Sequence, residues 1–184
     1  MAMPIFNKNM KLFFSYCLLI LLSACSIVSE DDLNKLKPYE GPMSRAYNLE
    51  TRYSDSARLR VSLKAALQEE YKGGDQEFPK GILIFVYDKE GRKTTRLTAN
   101  RGRYIKKKNK YVAIGNVVVV NLLKNEELRT EELHWTPTDR QIFTDERVTI
   151  KTPNELIKGT ALKADESFTR YTIYKPDGTI KVKK

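Results

Sequence analysis

Apolar residues recur at every second position in short segments along most of the chain, and this alternation constrains the fold more than any other feature of the sequence. In the segment 58–63, Leu59, Val61 and Leu63 fall on one face of an extended chain. The segment 81–87 is apolar on both faces, so it is either a central strand or a strand covered on both sides. The pattern therefore predicts β-strands.

Short turn sequences separate these segments, and no long amphipathic helical pattern interrupts them. We predict strands at 58–63, 81–87, 94–99, 110–114, 116–122, 128–135, 140–143, 147–152, 155–162, 169–174 and 179–182. The turns between them include 88–91, 124–127, 137–139, 153–154 and 176–178. Short strands with short connections predict an all-β, antiparallel structure.

A weak internal repeat indicates how the strands are arranged, because the spacing 0, +2, +5, +7 of apolar or small residues occurs three times. Its members are Leu97, Ala99, Gly102 and Tyr104; Leu128, Thr130, Leu133 and Trp135; and Ile157, Gly159, Leu162 and Ala164. The step of three breaks the alternation, so we expect a bend or bulge there. Bent hairpins stacked in this way predict two facing sheets with an apolar interior and strand edges at both ends.

The N-terminus has the order of an export signal, with lysines, then the apolar run 12–22, then small residues before Cys25. The run has 11 residues, whereas a membrane-spanning helix needs about 20. Leu-Ser-Ala-Cys at 22–25 also resembles the bacterial lipobox, in which the cysteine is acylated; the alternative is an ordinary signal peptide with a chance cysteine. We predict a lipoprotein signal at 1–24, a lipidated tether at 25–48 and one β-domain at 49–184.

The net charge of +10 falls to +8 when Lys8 and Lys11 are removed with the signal, and in a cytosolic protein such a charge would suggest nucleic acid as the partner. Export argues against nucleic acid and favours anionic lipid head groups or lipopolysaccharide. Removal of the signal also leaves Cys25 as the single cysteine, so the sequence predicts no internal disulfide and stability from a hydrophobic core.

Several fragments match one known family in order. They are 53–56, 78–82 with 87–88, 97–100, 115–119, 128–135 and 157–165, and with the lipobox they resemble the LptC family, the periplasmic bridge component of lipopolysaccharide export, in its lipoprotein form. The resemblance implies a twisted, partly open β-jellyroll with lipid acyl chains in its interior. It also implies three partners: lipopolysaccharide, an inner-membrane ABC transporter and a bridge protein that pairs with a strand edge.

The residues that we predict to face inward and bind lipid share one face of their strands. They are Leu59, Val61, Leu63, Ile82, Ile84, Val86, Leu97, Ala99, Val117, Val119, Leu128, Leu133, Trp135, Ile142, Val148, Ile150, Ile157 and Leu162. The alternative is an ordinary core. The small residues Ala99, Gly102, Gly159 and Ala164 favour lipid, since they are expected to leave space in an interior that is otherwise densely packed.

Two lysine-rich segments have alternative interpretations. The last predicted strand contains Thr179, Ile180, Lys181 and Val182, and we predict it to be a partner edge; its lysines are equally typical of protection against aggregation. The run 106–110 lies at a predicted turn, where it is either a solvated loop or a contact for lipid phosphates.

We predict no enzymatic activity, no cofactor and no metal site, because the sequence has one histidine, His134, and no nucleophile or phosphate-binding motif. His134 is expected to face outward. The function that the resemblance implies is acceptance of lipopolysaccharide from the transporter and its transfer to the bridge. The alternative is a structural or polysaccharide-binding lipoprotein of the cell envelope. The predicted location is the periplasmic side of the inner membrane through Cys25, with the outer membrane as the alternative because Ser26 follows the cysteine.

Overall fold

The computed structural model of the protein describes residues 38–166, 168 and 170–181, with side chains described up to residue 178. The predicted signal, Cys25 and the first part of the predicted tether lie outside the described residues, as does Val182. No helix among the described residues is long and apolar enough to span a membrane.

The described chain consists of eleven β-strands and one short 3₁₀ helix. The strands are β1 (Ser44–Asp55), β2 (Arg58–Glu70), β3 (Gln76–Phe78), β4 (Ile82–Tyr87), β5 (Lys93–Ala99), β6 (Arg101–Ile105), β7 (Lys110–Asn121), β8 (Glu126–Thr136), β9 (Gln141–Lys151), β10 (Glu155–Asp165) and β11 (Tyr171–Lys181). The 3₁₀ helix, Lys106–Lys108, links β6 to β7. Every strand pairing is antiparallel, which confirms the predicted all-β, jellyroll-like fold.

The strands form one continuous sheet with β1 and β11 outermost. β1 pairs with β2, and β7 to β11 pair in chain order. Between β2 and β7 the sheet divides: β4 and β5 join one half of β2 to one half of β7, while β3 and β6 join the other halves. The sheet therefore has two limbs, which we call the β4 limb and the β3 limb.

The long strands pass from one limb to the other through bulges, as the step of three in the repeat predicts. The pairing register shifts between Ile114 and Val117, between Arg129 and His134, and between Thr160 and Leu162. Positive φ angles at Gly115 and Ala161 accompany two of these shifts. The amide of Asn100, between β5 and β6, donates to the Gly115 carbonyl at 2.9 Å, so neighbouring bends are tied together.

Three predicted strand pairs are single bent strands. β7 covers the strands predicted at 110–114 and 116–122, β9 those at 140–143 and 147–152, and β11 those at 169–174 and 179–182. The turn predicted at 176–178 is therefore wrong. It is a bulge in β11, because Pro176 pairs with Gly159 and Gly178 pairs with Lys158, which leaves Asp177 as the extra residue.

β1 is a strand that the alternation did not predict. It begins at Ser44, inside the segment predicted as tether, and most of its side chains are exposed. Since β1 covers little of the core, its sequence has no apolar alternation for the pattern to detect. Its pairing with β2 extends from Ser44–Glu70 to Asp55–Arg58.

Both limbs contribute to one hydrophobic core. Ile82, Val119 and Val148 come from the β4 limb, and Leu133 and Leu162 from the β3 limb, and all belong to the same buried cluster. At the β4–β6 side, the side chain of Ile82 lies over the backbone of Gly102 in the opposite limb. The limbs thus face each other across an apolar interior.

Candidate functional site

The interior between the limbs contains most of the residues predicted to bind lipid. Ten are buried: Ile82, Ala99, Val117, Val119, Leu128, Leu133, Ile142, Val148, Ile150 and Leu162. Five more are partly buried and pack against them: Leu63, Ile84, Leu97, Trp135 and Ile157. The alternation therefore assigned these fifteen residues to the correct face of their strands.

The remaining three predicted residues lie at the margin of the interior or outside it. Val61 and Val86 are half-buried and pair across β2 and β4. Leu59 lines a groove on the other face of the sheet, together with Ser62 and Phe85, rather than the interior. Arg60 is an extra residue in the β1–β2 pairing, and this bulge reverses the face on which Leu59 lies.

No charged side chain is buried in the part of the chain that the structure describes. The buried polar residues of the interior are Thr95, Asn121, Thr130 and Thr144, which are neutral. Asn121 and Thr144 accept hydrogen bonds from nearby backbone amides at 3.0 Å. A neutral, largely apolar lining disfavours ions.

The interior is closely packed around Val119. The cavity lined by Val119, Leu128, Ile150, Leu162 and Phe168 has a volume of about 20 Å³, which is close to the space of one water molecule. In this conformation there is no room for an acyl chain between these residues. Occupation by lipid requires the limbs to separate.

The two glycines of the repeat do not leave the space that the sequence predicted. A Cβ at Gly102 would lie 3.1 Å from Ile82 Cγ2 and 3.3 Å from Phe78 Cδ2. At Gly159 it would lie 2.5 Å from Ile173 Cγ2 and 2.7 Å from the Lys175 carbonyl oxygen. Neighbouring side chains and backbone therefore fill the volume that the missing side chains release.

Three aromatic rings form a stacked row on the inner face of the β3 limb. Tyr104 and Tyr111 have ring centroids 4.5 Å apart, and Tyr111 and Trp135 have centroids 5.0 Å apart. Trp135 Nε1 donates to the carboxylate of Glu166 at 3.1 Å. Burial, and then the nearby Tyr104, raises the pKa of Tyr111. The repeat includes Tyr104 and Trp135 but not Tyr111, and no local spacing in the sequence predicts that the three rings stack.

The predicted partner edge is at the edge of the described sheet. β11 pairs with β10 on one side, and β1 pairs with β2 on one side; within residues 38–166, 168 and 170–181 neither has a strand on its other side. Thr179, Ile180 and Lys181 belong to β11, although their side chains are outside the description. Pairing of this edge with a partner stays a prediction.

The lysine run lies at a turn, as predicted. Lys106, Lys107 and Lys108 form the 3₁₀ helix, and all three are exposed. The amide of Lys106 donates to Asp75 Oδ1 at 2.9 Å, and Asn109 ends the turn with a φ of 43°. The turn is ordered by its backbone contacts, and its lysines face solvent.

His134 lies on the outer face of the β3 limb, as the alternation predicts, but it is largely covered. Its ring stacks on Phe143 at 4.9 Å, and Nε2 lies 2.8 Å from Glu132 Oε1. Nδ1 is buried without a hydrogen-bond partner among the described residues. Burial, and then the positive charge of Lys110, lowers the pKa of His134, so the ring is neutral at pH 7 with its proton on Nε2.

Comparison with known proteins agrees with this arrangement. The family model described as lipopolysaccharide-assembly, LptC-related, matches residues 14–180. The match includes β1 to β10 and all of β11 except its last residue, Lys181. No curated protein matches the chain.

Proposed function

Because the chain belongs to the LptC-related family of lipopolysaccharide-assembly proteins, we propose that it accepts lipopolysaccharide from an inner-membrane ABC transporter and passes it to a periplasmic bridge protein. The acyl chains travel through the interior between the two limbs, and the sugar head group stays outside. The observation that carries this proposal is the combination of the family match with an apolar interior that both limbs line and that contains no charged side chain among the described residues.

Transport through this interior involves an opening step. The cavity of about 20 Å³ is far too small for an acyl chain, and a close-packed interior does not admit one without moving apart. Separation of the β4 and β3 limbs exposes Val119 and Leu128 on one side and Leu162 on the other. Lipid then replaces the contacts that the limbs make with each other, so the apolar surface is covered in both states.

The two outer strands provide the connections at either end. Unpaired backbone groups of an edge strand form hydrogen bonds with a strand of another chain. β1 is the first strand in the chain after the segment with the proposed anchor, and we assign it to the transporter. β11, with Thr179, Ile180 and Lys181, is the edge for the bridge protein.

Cys25 is the proposed anchor. It follows the apolar run and the small residues of the lipobox-like segment, outside the described residues. Labelling of cells with a palmitate analogue, followed by membrane fractionation, tests the anchor. We expect label on the wild-type protein in the inner-membrane fraction and none on the Cys25→Ala variant. Label in the outer-membrane fraction would contradict the proposed location but not lipidation.

Photo-crosslinking tests the conduit. A photoreactive amino acid replaces Val119, which faces inward from β7, or its neighbour Val118, which alternates to the outer face. In proteoliposomes with the transporter and ATP, lipopolysaccharide is expected to be captured at position 119 and not at position 118. Equal capture at both positions, or no capture at position 119 while transport proceeds, would contradict an interior path.

The aromatic row favours a second function, binding of polysaccharide. Sugar rings contact flat apolar ring surfaces; here stacking covers both faces of Tyr111, so the surface left for a sugar is the far face of Tyr104, which is only partly buried. Depletion of the protein distinguishes the two functions. Transport predicts that lipopolysaccharide accumulates at the inner membrane, whereas a structural or polysaccharide-binding role predicts an intact outer leaflet.

A further inference from the structure

A second cavity lies on the outer face of the β4 limb, separate from the interior. It has a volume of about 400 Å³, which is within the range of ligand pockets. We call it the outer groove, and its lining residues come from β1, β2, β4 and β5: Glu50, Arg52, Leu59, Ser62, Lys64, Leu83, Phe85, Tyr87 and Lys93. The interior cavity is twenty times smaller. Of these two cavities, the larger one therefore lies outside the limbs.

The floor of the outer groove is apolar. Leu59, Leu83 and Phe85 form it, and all three are half-buried. The opposite face of the same strands packs against the core. Ser62 is 3% exposed, and its hydroxyl is hydrogen-bonded to the Tyr87 hydroxyl at 3.2 Å. These two hydroxyls are therefore satisfied, and Leu59, Leu83 and Phe85 give the floor its apolar surface.

The rim of the outer groove is positively charged. Arg52, Lys64 and Lys93 contribute three positive charges and Glu50 one negative charge, so the lining has a net charge of +2. Glu50 is 2.7 Å from Arg52 and 3.2 Å from Lys64. Lys93 Nζ lies 4.2 Å from the centroid of the Phe85 ring, so an ammonium group is held directly over the apolar floor.

The turn between β7 and β8 adds an independent feature at the same end of the limb. Leu122 and Leu123 are 43% and 63% exposed at its tip. Asn121 Oδ1 accepts the amides of Leu123 and Lys124 at 3.0 Å, which holds the turn in one conformation. The Leu122 amide donates to the Thr94 carbonyl at 2.8 Å, and this places the leucines beside the strand that carries Lys93.

We propose that this face of the β4 limb binds an anionic phospholipid bilayer. Leu122 and Leu123 enter the layer of head groups and upper acyl chains, as apolar residues of peripheral proteins do. Lys64 and Lys93 bind the phosphate of one lipid, whose acyl chain lies along Leu83 and Phe85. Two adjacent leucines are exposed at a turn, next to a cationic groove with an apolar floor. This combination fits an amphiphilic anionic surface better than an acidic peptide, because an acidic peptide offers no apolar layer in which the leucines can be buried.

Site-specific capture of lipid tests this proposal. The full chain, with a photoreactive amino acid in place of Leu123, is reconstituted in vesicles of phosphatidylcholine and phosphatidylglycerol without lipopolysaccharide or transporter. Phosphatidylglycerol is expected to be captured. The same amino acid in place of Thr138, at the exposed turn between β8 and β9 of the other limb, is the matched control and is expected to capture little. Both proteins have the same N-terminal segment with the proposed anchor, so the comparison isolates the face.

Charge reversal tests the outer groove. Lys64→Glu with Lys93→Glu is expected to reduce capture at position 123 at least about tenfold, because each cation near an anionic surface contributes about 1 kcal/mol. Lys64→Gln with Lys93→Gln is the milder variant, and circular dichroism verifies that both fold. Lys163→Glu, an exposed change on the outer face of β10, is expected to leave capture unchanged.

Three outcomes would overturn the proposal: equal capture at positions 123 and 138, capture that is unaffected by the Lys64 and Lys93 changes, or capture of the same yield in pure phosphatidylcholine. Because lipopolysaccharide is absent from this experiment, its result is independent of the capture at position 119 that tests the transport function.

Discussion

The interior and the outer groove are two apolar surfaces of one limb with opposite properties. Val119 and Ile150 face a neutral interior, where the cavity beside them has a volume of about 20 Å³. Leu83 and Phe85 face an open groove of about 400 Å³ with cationic side chains at its rim. The difference shows that apolar alternation identifies the buried face of a strand but not the face with space for a ligand. The larger of the two cavities is the one with cationic side chains at its rim.

The largest expected effect comes from emptying the interior. Leu162 is 1% exposed in the core, so Leu162→Ala is expected to lower the free energy of unfolding by about 2–5 kcal/mol, as lost burial and a cavity add together. Urea unfolding followed by circular dichroism measures it. Leu123→Ala, at a position 63% exposed, is the control and is expected to change stability by less than about 0.5 kcal/mol. A loss for Leu162→Ala as small as that of the control would mean that the interior is loosely packed.

Overfilling the interior is expected to have the next largest effect. Gly159→Ala is expected to cost about 1–3 kcal/mol, since the new Cβ would lie 2.7 Å from the Lys175 carbonyl oxygen, a backbone atom. Gly102→Ala is expected to cost less, because its nearest contacts, at 3.1–3.3 Å, are the side chains of Ile82 and Phe78. Thermal unfolding of both variants measures the order. The reverse order would show that the backbone of β11 moves away from Gly159 more easily than the side chains of Ile82 and Phe78 move away from Gly102.

The stability of the β3 limb is expected to depend on pH through His134. Its pKa is lower in the folded protein than in the unfolded chain, so the unfolded state binds more protons below about pH 6.5. The contribution of the neutral ring is fully present above that pH and is lost as the pH falls towards the folded pKa. Thermal unfolding measures this effect. Between about pH 7.5 and 5, a range around the ordinary pKa of histidine, the melting temperature is expected to fall more steeply for the wild type than for His134→Gln. Parallel curves would exclude this dependence.

The smallest expected effect on stability is in the outer groove. Glu50→Gln removes the single carboxylate of the lining, whose pKa is held below its usual value by hydrogen bonds from Arg52 and Lys64. The pair is exposed, so the melting temperature is expected to stay the same. The net charge of the groove rises from +2 to +3, and capture of phosphatidylglycerol at position 123 is expected to increase. Reduced capture would indicate that Glu50 positions the two cations for binding.

The sequence predicted the strands whose two faces differ in environment. Leu128, Leu133 and Ile150 follow the alternation because each is buried on one side and flanked by residues that meet solvent. The bends were predictable from the step of three in the repeat, since a bulge shifts the alternation by one residue. The LptC resemblance from ordered fragments is confirmed by the family match over residues 14–180.

Other features depend on contacts that no local pattern records. β1 is exposed over most of its length, so its pairing with β2 has no apolar signature. Pro176 and Gly178 resemble a turn in sequence, yet the pairing with β10 converts them into a bulge. The outer groove and the row of Tyr104, Tyr111 and Trp135 join residues from separate strands. Packing density around Gly102 and Gly159 is also a property of the whole interior.

The different outer strands have a consequence for symmetry. β1 and β11 differ in sequence, and they lie at opposite edges of the sheet. A contact between β11 of one jellyroll and the first strand of the next is therefore heterologous: each molecule uses one surface and leaves the other available. Such a contact would not be a two-fold dimer. Repeated, it would give a closed ring if the rotation between neighbours closes, and an open row of jellyrolls if it does not.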